Sequence, residues 1–309
     1  MTPSLKPGAR PEPLRLESVK RRARGPHGLL THRAFRRLAQ TGFALYVVLL
    51  MVQRLGLGEN AEAAATSPEA LCPFGGLETM FRYLTSGGKF VPHTHLSNIV
   101  LAVAVLITAF LARSAFCGWI CPLGFLQEML HGLSLWVQKK VRAVGTFVRI
   151  VRGRGARLAA IDRPLRLLKY GVLVWSLAGA ALYGMMVFRD YDPWAALLTI
   201  AEFSLGPGML VLLIVVAASF FVERPWCRYA CPLGAASGLV GWLSPVYLKR
   251  EDSLCKGCAL CSKSCPMELD VRNPVTIKSP DCIGCLECVE ACPRRGALEV
   301  KVGVPVVGQ

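Results

Sequence analysis

One cysteine pattern occurs twice near the carboxyl end of the chain, and it constrains the fold more than any other feature. Each copy reads C-x2-C-x2-C-x3-C-P. Three thiolates spaced in this way can wrap one face of an iron–sulfur cube, and in such paired runs the fourth cysteine ligates the other cluster. We therefore predict two [4Fe–4S] clusters with crossed ligands. The first is assigned to Cys255, Cys258, Cys261 and Cys292, and the second to Cys282, Cys285, Cys288 and Cys265.

Two other uses of clustered cysteines fit this pattern less well. A zinc ion takes four ligands and gives no reason for a doubled run closed by proline. Disulfides persist in oxidising compartments, whereas these cysteines are predicted to face the reducing side of a membrane. The runs carry no general base, nucleophile or phosphate loop of their own. By itself the pattern therefore predicts electron transfer.

The share of apolar residues is too high for an ordinary soluble domain. Of the 309 residues, 53% are hydrophobic and only 18% are charged. The net charge of +16 could suggest nucleic-acid binding, but that function requires a basic stripe on a soluble fold. Here the basic residues form blocks beside apolar runs, which is typical of a membrane protein. We therefore expect membrane lipid as a partner and no nucleic acid.

Four apolar stretches are long enough for transmembrane helices, which need roughly 17 to 25 residues. They are residues 41–57, 96–113, 170–188 and 205–222. Basic residues dominate 1–40 and 114–168, whereas acidic residues outnumber them in 58–95 and 189–204. By the positive-inside rule, both termini and the long middle loop are predicted to be cytoplasmic. Arg36-Arg37 could also mark an export signal, but the three further spans favour a multi-pass protein.

A second cysteine motif is repeated after the second and fourth predicted spans. Residues 116–124 read F-C-G-W-I-C-P-L-G, and residues 226–234 read W-C-R-Y-A-C-P-L-G, at a period of 110. Each copy follows an outward span, a short outer loop and an inward span. Since both units enter the membrane from the same side, we predict parallel repeats related by an axis along the membrane normal.

The repeated motif predicts a further site. The C-x3-C spacing places two thiols about one helical turn apart, and the two-fold relation would bring both motifs together at the cytoplasmic face. Our hypothesis is a third metal centre, with iron–sulfur as the first choice and a reversible dithiol pair, or a copper or zinc site, as alternatives. Four cysteines packing as small apolar residues are the remaining alternative. The candidate residues are Cys117, Cys121, Cys227 and Cys231.

The predicted outer segments carry a thiol and several polar groups. Cys72 opens the stretch C-P-F-G-G-L-E and is the only cysteine on the predicted outer side, so it is a free thiol, an intermolecular partner or a ligand. His93 and His95 precede the second span, and exposed loop histidines more often have no ligand role than a metal or haem role. The stretch R-D-Y-D-P-W at 189–194 suits a turn at headgroup level. It could contact a quinol, although its spacing does not require this.

Taken together, these motifs resemble the membrane polyferredoxins of the NapH, MauN, YccM and NosR group. The resemblance covers nearly all of residues 36–293. It implies a bacterial inner-membrane electron-transfer subunit that takes electrons from quinol and serves a periplasmic reductase or cytochrome system. The short outer loops leave no room for the flavin-binding domain of NosR proteins. The form C-P-L-G-F-L-Q-E at 121–128 is closer to YccM and NosR than to NapH, so the partner enzyme stays open.

The predicted fold is mainly α. It has four transmembrane helices in two tandem parallel repeats and a cytoplasmic two-cluster ferredoxin-like α+β domain. We place a disordered basic tail at 1–40, the membrane domain at 41–245 and the ferredoxin domain at 246–309. The predicted function is electron transfer between a cytoplasmic or quinol donor and a periplasmic reductase system, as a subunit of an oxidoreductase complex. The alternatives are a copper or metal maturation factor and a redox-sensing regulator.

Overall fold

The fold is mostly helical, with one small sheet near the carboxyl end. The computed structural model describes residues 32–57, 72–87, 96–141, 146, 148, 162–198, 206–294 and 296–303. The helices of the first half are α1 His32–Leu57, α2 Pro73–Thr85, α3 Leu96–Ala112, α4 Ala115–Trp119, α5 Pro122–Lys140 and α6 Leu168–Tyr183. A 3-10 helix at Arg189–Tyr191 precedes α7 Pro193–Leu198, α8 Pro207–Ser219, α9 Pro225–Tyr229 and α10 Pro232–Trp242.

The carboxyl-terminal domain contains a three-stranded antiparallel sheet in the order β2-β1-β3. Its elements are β1 Val246–Arg250, α11 Leu260–Lys263, β2 Thr276–Ile277, α12 Glu287–Glu290 and β3 Leu298–Val302. Leu248 at the centre of β1 pairs with Ile277 on one side and Val300 on the other. Leu248 and Ile277 are buried together with Val271 and Cys288, and these residues form a separate hydrophobic core within this domain. Each such apolar side chain contributes about 1.5–3 kcal/mol when fully buried.

In the described part of the chain, apolar helices occur at all four predicted spans, and two of them are long enough to cross a membrane. Among the described residues, the helical stretches His32–Gln53 and Asp162–Tyr183 meet the requirements of length and hydropathy, whereas Leu96–Ala112 and Pro207–Ser219 are shorter. At a rise of about 1.5 Å per residue, short helices fall below a hydrocarbon layer of about 30 Å. The four-span arrangement and its orientation therefore remain predictions.

The amino-terminal boundary differs from the prediction. Helix α1 begins at His32, so residues 32–40 are not part of a disordered tail. Within this stretch Arg36 and Gln40 are buried, with 4% and 1% of their surfaces exposed. Their polar groups are held by partners from elsewhere in the chain, which the basic composition of the segment did not reveal. Residues 1–31 lie outside the described part of the chain.

The two repeated cysteine motifs have the same backbone structure. Cys117 and Cys227 are each the third residue of a five-residue helix, α4 and α9. Cys121 and Cys231 are the N-cap residues of α5 and α10, and a proline follows each of them at the first helical position. Proline suits this position because its missing N–H would have no partner there. The sequence repeat is therefore also a structural repeat.

The core of the helical domain is built around a row of three aromatic rings. Phe188 meets Phe74 edge-on at a centroid distance of 5.2 Å and stacks on Trp226 at 6.1 Å. All three side chains belong to one buried apolar cluster, against which Cys72, Cys121 and Cys231 also pack. Helix α10 packs against α3 and α6, and α2 lies against the same two helices. The row thus connects the segment at Cys72 with the second C-x3-C motif.

Candidate iron–sulfur sites

Both cysteine runs of the carboxyl-terminal domain form the same loop. Gly257 and Ala259 in the first run have positive φ values of 66° and 57°, and Gly284 and Leu286 in the second have 59°. These residues lie between successive cysteines, and their left-handed backbone conformation coils the loop. This conformation is unfavourable for residues other than Gly, Asn and Asp. The strain at Ala259 and Leu286 is therefore the cost of placing three thiols around one centre.

The four cysteines assigned to the second cluster lie around one cavity. Cys265, Cys282, Cys285 and Cys288 all line a space of about 320 Å³. Cys288 lies near the other three, at distances where thiolate charges would interact. The remaining walls are mostly apolar, and they include Ile283 and Met267. A cavity lined by four cysteines and by apolar walls fits a [4Fe–4S] cluster, which is bound by four cysteine thiolates.

The four cysteines assigned to the first cluster are also neighbours. Cys292 lies close enough to Cys255 and Cys258 for their thiolate charges to interact, and Cys261 has the same relation to Cys292 and Cys258. Each fourth cysteine thus lies beside the three cysteines of the other run. Cys261 also approaches Cys288, so the two candidate cluster sites are adjacent.

The four cysteines of the predicted third site are also neighbours. Cys231 lies near Cys227, Cys117 and Cys121, at distances where thiolate charges would interact. We call these residues the four-cysteine site. The Cys231 sulfur accepts a hydrogen bond from the Gly234 backbone N–H at 3.3 Å. Hydrogen bonds to sulfur are among the factors that set the reduction potential of an iron–sulfur cluster.

Side-chain hydrogen bonds also reach the sulfur atoms of the four-cysteine site. The Gln127 amide donates to the Cys227 sulfur at 3.6 Å, and the sulfur of Cys117 lies 3.8 Å from the Ser237 hydroxyl. Cys117 comes from the first repeat and Ser237 from helix α10 of the second. The site is therefore held together across the repeat interface.

A fully buried arginine lies beside the four-cysteine site. Arg224 has no exposed surface, and its guanidinium donates to the Cys117 carbonyl oxygen at 2.6 Å and to the Glu128 carboxylate at 2.8 Å. Its Nη2 atom is buried and has no hydrogen-bond partner. Arg224 lies near Cys121 and Cys227, so its positive charge would stabilise an anionic group bound by these thiols. The arrangement therefore fits an anionic thiolate-bound cluster.

The four-cysteine site adjoins the site of the second cluster. Cys117 and Cys265 belong to one buried apolar cluster with Met267 and Ile283. The Trp119 indole N–H donates to the Gly284 carbonyl oxygen at 3.0 Å. The three candidate sites therefore follow one another in a row, from the first ferredoxin cluster to the second and on to the four-cysteine site.

Buried ion pairs hold the ferredoxin domain against the helices. Lys169, with 1% of its surface exposed, pairs with the Asp281 carboxylate, to which Arg166 also donates at 3.1 Å. On the other side, Arg36 contacts Glu287 of α12 at 2.9 Å and donates to the Gly118 carbonyl oxygen at 2.8 Å. These contacts fix the distance between the candidate redox sites.

The segments predicted to lie on the outer side form a second polar cluster, around Cys72. The thiol of Cys72 lies 4.0 Å from the Asp192 carboxylate, whose other oxygen accepts a hydrogen bond from the Trp194 backbone N–H at 3.0 Å. Asp192 and Glu78 are buried, with exposed fractions of 8% and 1%. Burial raises the pKa of Asp192 to about 7. Burial, and then the nearby Asp192 carboxylate, raise the pKa of Glu78 to about 8.

Two predicted features have less structural support. His93 and His95 lie outside the described residues. Within the described ranges, no group of three or more His, Cys, Asp or Glu side chains is close enough to hold a single metal ion. The thiols of the four-cysteine site and of the ferredoxin runs are thus spread more widely than a mononuclear zinc or copper site requires.

The role of Asp192 beside Cys72 was missed, although the sequence contains a signal for it. Cys72 begins C-P-F-G-G-L, and Asp192 begins D-P-W-A-A-L. Both match the pattern of a polar residue, proline, an aromatic ring, two small residues and leucine, and each precedes a helix with proline at its start. The repeat therefore extends to the outer segments. Arg224 and Glu78 give no such signal, because their burial depends on packing between distant elements.

Two family models match the chain where these sites lie. A 4Fe-4S binding domain matches residues 94–143 and again 205–250, which contain the two C-x3-C motifs. A 4Fe-4S dicluster domain matches residues 247–293, which contain both cysteine runs. The chain is thus an iron–sulfur protein of the ferredoxin type.

Three relatives show how far the similarity extends. The putative electron transport protein YccM of Escherichia coli is 28% identical over 78% of this chain and 65% of its own length. The ferredoxin-type protein NapH of Haemophilus influenzae is 32% identical over 65% of this chain and 67% of its own length. An uncharacterized protein of Methanocaldococcus jannaschii is 28% identical over 84% of this chain and 92% of its own length. No solved structure matches the chain.

These similarities place the chain in the membrane polyferredoxin family, to which YccM and NapH belong. The resemblance deduced from the cysteine motifs is confirmed. The chain spans about two thirds of the length of YccM and NapH.

Proposed function

We propose that this protein carries electrons one at a time along a row of iron–sulfur clusters that ends inside a membrane-embedded helical bundle. One observation carries the proposal: the four-cysteine site is in contact with the site of the second ferredoxin cluster. Cys117 of the first site and Cys265 of the second belong to the same buried group of apolar side chains. A redox centre on either side of this contact would exchange electrons without solvent between them. The apolar helices at the four predicted spans support insertion in the inner membrane.

The cofactors that we propose are three [4Fe–4S] clusters. Two occupy the crossed cysteine sets of the ferredoxin domain, as the doubled run predicts. The third occupies the four-cysteine site, where the unpaired Nη2 of buried Arg224 supports an anionic group. The match of a 4Fe-4S binding domain to both C-x3-C motifs supports the same assignment. The cluster chemistry is one-electron transfer, and the protein contributes position, burial and hydrogen bonds to sulfur.

We further propose which side of the membrane the ferredoxin domain faces and which redox partners the protein has. The termini and the ferredoxin domain lie in the cytoplasm, as the distribution of basic residues predicts. A quinol or a cytoplasmic carrier exchanges electrons with the clusters, and a periplasmic reductase or cytochrome system is the other redox partner. The names of the relatives YccM, a putative electron transport protein, and NapH, a ferredoxin-type protein, support a role in electron transfer.

The proposal is tested with the protein in sealed lipid vesicles that contain trapped cytochrome c as a one-electron acceptor. A membrane-impermeant reductant is added outside under anaerobic conditions. We expect reduction of the trapped acceptor with the wild type and none with Cys282→Ser, because this variant interrupts the row at the second cluster. Exposed Lys139→Gln is the control and should behave as the wild type. Equal rates for wild type and protein-free vesicles would contradict the proposal.

A further inference from the structure

The loop of the second cysteine run is covered by the helical domain. Ile283 and Gly284 follow the first cysteine of this run. Ile283 is 6% exposed and packs with Cys117 in one buried group of apolar side chains. The Gly284 carbonyl oxygen accepts the hydrogen bond from the Trp119 indole at 3.0 Å. This loop is therefore the part of the second cluster site that contacts the next redox site.

The same loop of the first run faces solvent. Lys256 and Gly257 occupy the positions of Ile283 and Gly284, and Lys256 is exposed. Among the described residues, a Cβ added at Gly257 would meet only the Arg272 guanidinium, at 3.8 Å. The position that a buried apolar side chain fills in the second loop thus carries an exposed positive charge in the first.

Three exposed basic residues lie at this open loop, and we call them the basic rim. Lys256 lies between the first two cysteines of the run, and the Arg272 guanidinium lies beside Gly257. Arg294 follows Cys292, whose sulfur lies 3.3 Å from the Arg294 carbonyl oxygen. Within the described ranges, none of the three side chains has an acidic partner.

The acidic side chains of the adjoining segments have other partners. Asp252 pairs with Arg250 at 2.5 Å, and Asp270 accepts a hydrogen bond from the Asn273 side chain at 2.5 Å. In the described part of the chain, the basic rim therefore supplies unpaired charges at this surface.

The first cluster site is also the more accessible of the two ferredoxin sites. Cys265 and Cys288 of the second site are 9% and 7% exposed, whereas all four cysteines of the first site are half-buried. The second site lies between the first site and the four-cysteine site. A soluble partner can therefore reach the row at the first site.

We propose that the basic rim docks a soluble, acidic carrier protein, which passes single electrons to the first cluster through the loop at 255–258. One electron leaves the reduced carrier, which is thereby oxidised, and the first cluster gains this electron and is reduced. No bond is made or broken and no proton is transferred. This proposal rests on the proposed function, and it adds the docking surface and the charge of the partner.

Charge and redox chemistry favour such a carrier over other occupants. Opposite charges steer two proteins together and raise association rates by about 10- to 1000-fold. Transient redox partners typically bury small surfaces, and Leu254, 42% exposed, adds an apolar contact beside the run. An anionic lipid surface would also attract the basic rim, but it would bring no electrons to the cluster site beneath it.

The test uses the full chain with oxidised clusters in nanodiscs of phosphatidylcholine, which has no net charge. Fully reduced flavodoxin, an acidic flavin protein, is added anaerobically, and the formation of its semiquinone is followed by stopped-flow absorbance. The salt concentration is varied from about 20 mM to about 300 mM, a range over which screening of exposed charges becomes strong. The extent of cluster reduction by dithionite is measured in every sample by EPR.

The test variant is the double substitution Lys256→Glu and Arg272→Glu. The control is the double substitution Lys139→Glu and Lys140→Glu, which changes the net charge by the same amount at the exposed end of α5.

We expect the wild-type rate constant to fall by about tenfold or more over this salt range, because screening removes the steering. The test variant should be slower by about tenfold or more at low salt, and its rate should no longer fall with salt. A change of cluster potential alone would slow the reaction without removing the salt dependence. The control should follow the wild type, and dithionite should reduce all three proteins to the same extent.

Three results would overturn the inference. The first is a wild type that dithionite reduces and flavodoxin does not, which would leave cluster-based electron transfer intact. The second is a wild-type rate and salt dependence in the test variant, which would leave an anionic lipid surface as the occupant. The third is an equal loss of rate in the test variant and the control, which would show an effect of net charge alone.

A second pair of variants keeps the inference testable if the test variant loses its clusters. Lys256→Gln and Arg272→Gln are then measured singly, and a wild-type salt dependence in both would overturn the inference as well. A wild type that dithionite cannot reduce would instead contradict the proposed function itself.

Discussion

The indole N–H of Trp119 donates a hydrogen bond to the backbone carbonyl oxygen of Gly284 at 3.0 Å. Trp119 lies between the two cysteines of the first C-x3-C motif, and Gly284 lies between the first two cysteines of the second run. This hydrogen bond thus joins a side chain of one candidate cluster site to the backbone of another. The helical domain and the ferredoxin domain are therefore in direct contact at this point.

The crossed ligand assignment is tested by paired serine variants. Cys265→Ser should abolish the same EPR signal as Cys282→Ser, because both remove a ligand of the second cluster. Cys292→Ser should likewise match Cys255→Ser. Removal of one thiolate ligand destabilises a four-thiolate cluster site. If Cys265→Ser matched Cys255→Ser instead, the ligands would not be crossed.

A substitution at Gly118 should loosen the contact between the two domains. A Cβ at this position would overlap the carbonyl oxygen of Ile283, and overpacking of this kind typically costs about 1–3 kcal/mol. Gly118→Ala should therefore lower the melting temperature and slow electron exchange between the four-cysteine site and the second cluster. Gly132→Ala in α5 is the matched control, since a Cβ there meets nothing within 4 Å. Equal melting temperatures for the two variants would argue against the docked arrangement.

The buried ion pair between Lys169 and Asp281 should be essential for docking. Lys169→Met leaves Asp281 with Arg166 as its remaining cationic partner, and breaking a buried pair costs about 3–5 kcal/mol in other proteins. We expect faster proteolysis between the helical and ferredoxin domains. Lys301→Met removes an exposed pair with Glu299 and is the control, for which we expect little change. A digestion pattern equal to that of the wild type would show that the pair does not hold the domain.

Arg224 should tune the potential of the third centre. Its guanidinium favours the more negative, reduced form of a nearby cluster, so Arg224→Gln should shift the reduction potential of that centre downwards. The second ferredoxin cluster should shift in the same direction, because its proposed ligand Cys285 also lies near the guanidinium. An EPR-monitored redox titration would measure these shifts, with exposed Lys139→Gln as the control. An unchanged potential at every centre would place no cluster beside Arg224.

Short-range patterns allowed much of the site to be predicted. The doubled cysteine run and the C-x3-C repeat identify twelve cysteines, and the structure brings them together in three groups of four. A loop or one helical turn decides which thiols are neighbours within a run or motif, whereas the grouping across runs and motifs was predicted from the paired runs and from the two-fold repeat. The small sheet and the local helices of the ferredoxin domain also agree with the predicted α+β class.

Contacts between distant elements could not be predicted in this way. Arg36 was counted as part of a basic tail, yet it is buried and contacts Gly118 and Glu287. Arg224 and Glu78 lie in segments whose composition suggests exposed charges, and both are buried by packing between helices far apart in sequence. Such residues acquire their roles only through tertiary structure. Helix length could not be predicted accurately either. Hydropathy located four apolar segments, but it did not show that two of the helices described there are shorter than a membrane span requires.

The most direct test of the account is the iron and acid-labile sulfide content of anaerobically purified protein, measured together with its EPR spectrum after reduction. Three [4Fe–4S] clusters require about 12 iron atoms and about 12 sulfides per chain, and neighbouring reduced clusters should give interacting signals. The double variant Cys117→Ser and Cys227→Ser should retain about 8 of each, since it leaves both ferredoxin clusters in place. Protein that contains no iron, or an iron content equal in wild type and double variant, would contradict the account.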